Sequence, residues 1–269
     1  MDQRIVNDYV VTAEQMASLR KIRDASYAHR SEVTVPVASV PANESPIELF
    51  LFGTRYKVGE KVGSLTYTTD RRDLDGILRS IRVGKQNADF MVVAIHAHQN
   101  SFSYQAYSHD NSTPDFLIEL AHKAIDNGAD VFVGHGVHTV RGVEIYKGKP
   151  IFYGVASFVQ HEGPAIEVTD PSRPPVTAQS RQPDNQEVLL ATSRYEGGKL
   201  VEVRLYPVDC GIDGTRPVSK AGVPTTPSPE QAQRILKLVQ DLSKPFGTTI
   251  SIEDNVGVIR LAQTTTKLN

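Results

Sequence analysis

The stretch GADVFVGHGVHTVRGVEIYKGKPIFYGVASF, residues 128–158, reads as a short strand that delivers two histidines and is followed by two further strands. Residues 129–133 sit between Gly128 and Gly134 in the pattern of a strand buried on both faces. His135 and His138 follow at once. Gly134 and Gly136 lack a Cβ, which lets the chain turn tightly and bring both imidazoles to one point. Upstream, residues 90–95 (FMVVAI) give a second buried-strand pattern whose first polar residue is His96. Between the two, Thr113-Pro114 reads as an N-cap with proline at the first helical position. Phe116, Leu117, Leu120, Ala121, Ala124 and Ile125 then keep a helical stripe up to Gly128. Strand, helix, strand of this length is a βαβ unit, so the strands should be parallel. His96 and His135 should emerge together on the edge where open α/β sheets place their ligands.

Three neutral imidazoles converging from two strand ends suit a divalent transition metal such as zinc, manganese or iron. The competing reading makes His96 and His138 hydrogen-bonded loop histidines without a ligand. The loop 97–112 holds His98, Tyr104, Tyr107, His109 and Asp110 and reads either as pocket lining or as a polar lid without chemistry. His122 falls on the polar face of its helix and is expected to be solvated.

IHAHQN (residues 95–100), the stretch 128–158 and GGKLVEVRLYPVD (residues 197–209) resemble the capsule synthesis protein A (CapA) family, also called the poly-γ-glutamate synthesis family. The similarity runs from about residue 9 to residue 261 and corresponds to the C-terminal half of the family pattern. The resemblance implies a divergent calcineurin-like metallophosphatase fold with His96, His135 and His138 as metal ligands. It also implies that an aspartate, a bridging residue and an asparagine-histidine motif come from the N-terminal half, and none of them is found here. Two departures stand out. A glutamate common after the first histidine is matched by Gln99 or Asn100, and the usual glycine-asparagine-phenylalanine reads Ala156-Ser157-Phe158. His98 and Ser157 are the residues expected to touch substrate. Starting this late in the family pattern, the chain reads as a truncated gene or an excised piece.

Elsewhere, Thr12 and Gln15 form a capping box ahead of a helix over 12–29, and residues 31–46 read as a proline-broken linker. Residues 47–52 form a strand, 53–69 a turn-rich segment with one edge strand at 64–68, and Asp70 or Thr69 caps a helix built on Leu74, Ile77, Leu78 and Ile81. The stretch 161–185 reads as a mobile flap. A hairpin over 187–206 turns at Glu196-Gly197-Gly198, Ser228-Pro229 opens a helix, and two short strands turn at Asp254-Asn255. Cys210, the single cysteine, excludes an intrachain disulfide and reads as filler near a strand end. The formal net charge of −2, with scattered lysines and arginines, argues against nucleic acid as a partner. Arg141, Lys147 and Lys149 are weak polyanion contacts, more simply read as a solvated hairpin face.

These readings combine into an α/β protein, a partial metallophosphatase-like sandwich whose mixed sheet is flanked by helices and followed by a mainly antiparallel extension. Its expected parts are an N-terminal helix and linker (1–46), a core (47–209), and a C-terminal helix with short strands packed on that core (210–269). The expected role is a metal-dependent, phosphoesterase-like function tied to poly-γ-glutamate or capsule synthesis, with a manganese, iron or zinc ion. The alternative is a non-catalytic polymer-binding or assembly component of the cell envelope. Expected partners are an anionic polymer or phosphoester and either a complementary N-terminal half or a second copy. No run of apolar residues is long enough to span a membrane and the first residues lack a signal-peptide pattern, so the compartment stays open, with the envelope suggested for the parent protein.

Overall fold

In the computed structural model, residues 5–31, 45–101, 110–158, 188–211, 220 and 222–261 are described. The anticipated flap at 161–185 and residues Tyr104, Tyr107 and His109 lie outside them. The central sheet contains β5 (Val92–Ala97), β6 (Val131–Gly136), β7 (Val143–Tyr146) and β8 (Lys149–Phe152) in the order β5-β6-β8-β7. β5, β6 and β8 run parallel, and β7 folds back antiparallel on β8 through Lys147-Gly148, both with positive φ.

Helix α3 (Asp115–Asp126) makes the crossover from β5 to β6. All six residues of its anticipated stripe are buried, and each large one, such as Phe116 or Leu120, contributes roughly 1.5–3 kcal/mol by leaving water. Its start differs from expectation by one position, because Pro114 occupies the cap without a capping side chain. Asp115 takes part of that load, its carboxylate accepting from the backbone N–H of Phe116 and of Tyr67. Helix α2 (Arg71–Gln86), capped by Asp70 as anticipated, packs with α3 over the same face of the sheet.

The opposite face meets a second, antiparallel sheet. It contains β9 (Val188–Glu196), β10 (Lys199–Val208), β11 (Ser251–Glu253) and β12 (Val256–Arg260), ordered β11-β12-β10-β9. Val131, Val143 and Phe152 of the first sheet share a core with Val203 and Leu205 of the second and with Ile235, Leu236 and Val239 of α4 (Pro229–Ser243). The hairpin turn at Gly197-Gly198 and the turn at Asp254-Asn255 are both as expected, with positive φ at all four residues.

A third sheet, ordered β2-β3-β1-β4, holds β1 (Ile5–Val11), β2 (Glu48–Leu51), β3 (Thr54–Val58) and β4 (Leu65–Thr69) beside α1 (Ala13–Ser31). The capping box holds, with Thr12 and Gln15 exchanging hydrogen bonds of 2.9 and 3.0 Å. β1 and β3 were not anticipated. Tyr67 of β4 ties this sheet to the core by donating its hydroxyl proton to the Asn100 carbonyl at 2.8 Å. Among the described residues no helix is long and apolar enough to cross a membrane.

Two expectations need correction. β5 is not buried on both faces: it is an end strand of its sheet, and Val92 keeps 52% of its surface exposed. β6 begins at Val131 because Asp130 stands at its foot, where Lys85 and Lys149 bond its carboxylate at 2.7 and 3.0 Å and the Met91 N–H donates at 2.9 Å. Burial alone would raise the Asp130 pKa, but these three donors together hold it below the ordinary carboxylate value. Because the folded pKa lies below the unfolded one, this stabilisation is present above the unfolded value and is lost as pH falls through the folded one. Asp130→Asn is therefore expected to lower the urea midpoint at pH 7, with the difference from the parent chain closing as pH drops below about 3.9.

Candidate metal-binding histidine cluster

Parallel pairing of β5 and β6 sets His96 directly opposite His135. Their rings meet edge to face with centroids 5.0 Å apart, well inside one site. His98 comes back over His96, and the two Nε2 atoms lie 2.9 Å apart. His138 closes the group, its ring 5.5 Å from that of His98. Behind it, the Ser157 hydroxyl lies 3.0 Å from Nδ1. The five residues singled out in the sequence thus come together.

The glycines serve this cluster differently from expectation. Gly134 lies inside β6 and makes no turn, whereas Gly136 is its last residue, where a positive φ takes the chain out of the strand. A Cβ at Gly134 would stand 2.4 Å from the Tyr153 carbonyl oxygen, so its absence lets the neighbouring chain close in. At Gly136, φ is +92° and a Cβ would stand 2.6 Å from His96 Cδ2 and 2.8 Å from its Nε2. The space for the His96 ring is the space of the missing side chain.

His138 is kept below the ordinary histidine pKa, first by burial and then by the charges of His98 and His96. It is therefore held neutral, as a ligand or a hydrogen-bond acceptor requires. The cluster is built from imidazoles, with no carboxylate or thiolate hydrogen-bonded to it. Among the described residues, no group of three or more His, Cys, Asp or Glu side chains stands as it would around one ion. The donor chemistry still suits a borderline metal. Two nitrogens each about 2.0–2.1 Å from a tetrahedral ion lie roughly 3.3 Å apart, a few tenths of an ångström from what His96 and His98 show. A cleft of about 550 Å³ runs along β5 beside α2 and α3, lined by Ile81, Phe116 and Leu120 and, of the cluster, by His96 alone.

Other polar residues take up positions that sequence spacing did not reveal. His122 is not simply solvated: the Glu144 carboxylate on β7 accepts from its Nε2 at 2.9 Å, and Tyr146 stacks on its ring at 4.0 Å. The Tyr153 hydroxyl donates to the same carboxylate at 2.5 Å. Lys147 and Lys149 are engaged by Asp126 and Asp130, and Arg141 is fully buried, so the three do not form a solvated basic face. Asp110 accepts from the Ser112 N–H at 2.8 Å, and Glu162 lies outside the described residues. Cys210 is buried near a strand end, as read.

The family model for the bacterial capsule synthesis protein PGA_cap matches residues 12–162. The chain belongs to this family. Two proteins of Sinorhizobium fredii, y4sH and y4uA, are each 37% identical to it over 96% of this chain and 58% of their own length. The PGA biosynthesis protein CapA of Bacillus subtilis is 36% identical over 31% of this chain and 20% of its own. A probable polyglutamine synthesis accessory protein of Mycobacterium tuberculosis is 31% identical over 49% of this chain and 32% of its own. The chain thus spans little more than half the length of the Sinorhizobium relatives.

Replacing Gly136 by Ala should cost about 1–3 kcal/mol through its positive φ and drive the His96 ring away from His98. Gly148→Ala is the control, since φ there is also positive but no atom lies within 4 Å of the added Cβ. Both variants should lose stability in urea titrations. Only the first should move the imidazole nitrogen resonances of His96 and His98.

Proposed function

We propose that this chain supplies a histidine-lined, metal-dependent site of phosphoesterase type to bacterial capsule or poly-γ-glutamate synthesis. The association with capsule polymer is supported by the family match and by relatives bearing PGA and polyglutamine names. The site reading is carried by one observation, the 2.9 Å approach of His96 and His98 Nε2 beside His135 and His138. These four residues would hold a manganese, iron or zinc ion, His96 and His98 first. Such an ion supplies Lewis-acid chemistry toward a phosphoryl or acyl oxygen.

The chain's own residues do the positioning. Gly136 makes room for His96, and burial keeps His138 neutral. In the tautomer whose Nδ1–H donates to Ser157, His138 presents the Nε2 lone pair to the cluster. His98 stands one residue beyond the end of β5, its Nε2 2.9 Å from that of His96.

Charge limits what the cluster can hold. Four neutral imidazoles offset none of the repulsion between two divalent ions about 3.5–4 Å apart, a load that bridging carboxylates carry in two-metal hydrolases. The purified chain is therefore expected to retain at most one manganese, iron or zinc ion per molecule by elemental analysis. His96→Ala and His98→Ala should each remove it, and hydrolysis of an aryl phosphodiester should stay near background. Two tightly held ions with histidine-dependent turnover would overturn the one-ion reading, and no retained metal in the parent chain would overturn the metal reading altogether.

A further inference from the structure

Among the described residues, Arg141 is the largest side chain fully enclosed by the fold, with no measurable surface in contact with solvent. Its stem lies over Gly154, where a Cβ would meet Arg141 Cγ at 3.3 Å, and its backbone N–H donates to the Gly154 carbonyl at 2.9 Å. One terminal nitrogen donates to the Gln99 carbonyl, next in sequence to His98. The other terminal nitrogen and Nε have no hydrogen-bond partner, and neither has the buried hydroxyl of Thr139. Thr139 and Arg141 flank Val140, which bridges Val155 antiparallel, and the Thr139 carbonyl oxygen and Arg141 Cγ would both stand 3.3 Å from a Cβ at Gly154.

A buried guanidinium with two donating groups unspent is costly, because an ion removed from water needs both countercharge and hydrogen bonds. Burial pushes the Arg141 pKa down to about 10, against the opposing pull of Asp110, so the group remains cationic at neutral pH without full compensation. Asp110 itself is engaged by the N–H and hydroxyl of Ser112. Three polar groups therefore wait, one residue removed from His98 on one side and three residues past His138 on the other. An oxyanion is the ligand that meets their needs: it brings negative charge, accepts from an unspent guanidinium N–H, and accepts the threonine proton.

We infer that Arg141 and Thr139 form an oxyanion site beside the histidine cluster that receives a phosphate or a carboxylate of the bound ligand. Its placement next to a reacting group rests on the function proposed above, but oxyanion binding itself does not require the metal. If Arg141 served only as a brace for Gln99, the unspent donors and the Thr139 hydroxyl would have no task.

The test is thermal denaturation and calorimetric titration of the full chain at constant ionic strength, with inorganic phosphate in one arm and a γ-linked glutamate tripeptide in the other. A saturable rise in melting temperature is expected in at least one arm, and the arm that responds identifies the source of the oxyanion. Arg141→Met should weaken that binding at least tenfold while leaving the anion-free melting temperature unchanged or raised, since an apolar stem replaces an undercompensated charge. Thr139→Val should weaken it severalfold and fold normally, so it decides the matter if Arg141→Met does not fold. Absence of a saturable effect in both arms, or unchanged affinity in Thr139→Val, would overturn the inference. Repeating the titration on His96→Ala separates it from the metal reading. Anion binding by a chain that never retains metal removes the metal and keeps the oxyanion site. Metal retention without anion binding does the reverse.

Discussion

The register between β5 and β6 is the constraint on which the rest depends. Because the two strands run parallel with His96 opposite His135, one backbone ladder fixes the heights of both rings, and neither imidazole relies on a loop for its position. A slip of one residue would send every side chain of the strand to the other face. The apolar load on α3 and α2 prevents that slip, since Val93, Ile95 and Ala97 must stay against the helices, which leaves His96 on the opposite side. Packing far from the histidines thus decides where they point.

Around that ladder the fold sorts its polar groups by charge. His138, half-buried behind the other imidazoles, is held toward its neutral form, the state that burial favours in a base. The cation nearest them in sequence, Arg141, is sealed in. The remaining basic groups of the hairpin are spent on Asp126 and Asp130, where they hold turns and strand ends. On this face the hairpin's lysines stand in ion pairs, and its arginine is interior.

The helical stripe of α3, the cap of α2, the capping box of α1 and the glycine turns were legible because each depends on residues a few positions apart. The convergence of His96, His135 and His138 was legible for a related reason: the helix length between two strand patterns implies parallel strands. What could not be read is whatever depends on distant neighbours. β5 and β6 look alike in sequence, yet one ends its sheet and the other is central, and nothing local distinguishes them. Arg141 sits in an ordinary alternating stretch, and only the approach of Gln99 and Gly154 makes it interior. β3 was not legible because a short, polar strand such as TRYKV carries a weak periodic signal, while in β1, IVNDYVV, Asn7 and Asp8 break the alternation. Gly134 was rightly singled out for its missing side chain, but the reason is a carbonyl from Tyr153 and not a turn.

The outer margin of β7 shows how a chain can finish late what it began early. Val143 donates its N–H to the hydroxyl of Ser243 at 2.9 Å, and Ile145 donates to that of Thr248 at 3.3 Å, across about one hundred residues of sequence. These hydroxyls stand where a further strand would otherwise pair, so the sheet is terminated by side chains and not by solvent. During synthesis, the strand that follows the histidines is made long before its closing partners leave the ribosome. Until then its margin is open to any extended neighbour, including a nascent copy of itself. The helix that brings Ser243 thus acts as a latch on the growing chain, and the interval before it arrives is when this protein is most exposed to mispairing.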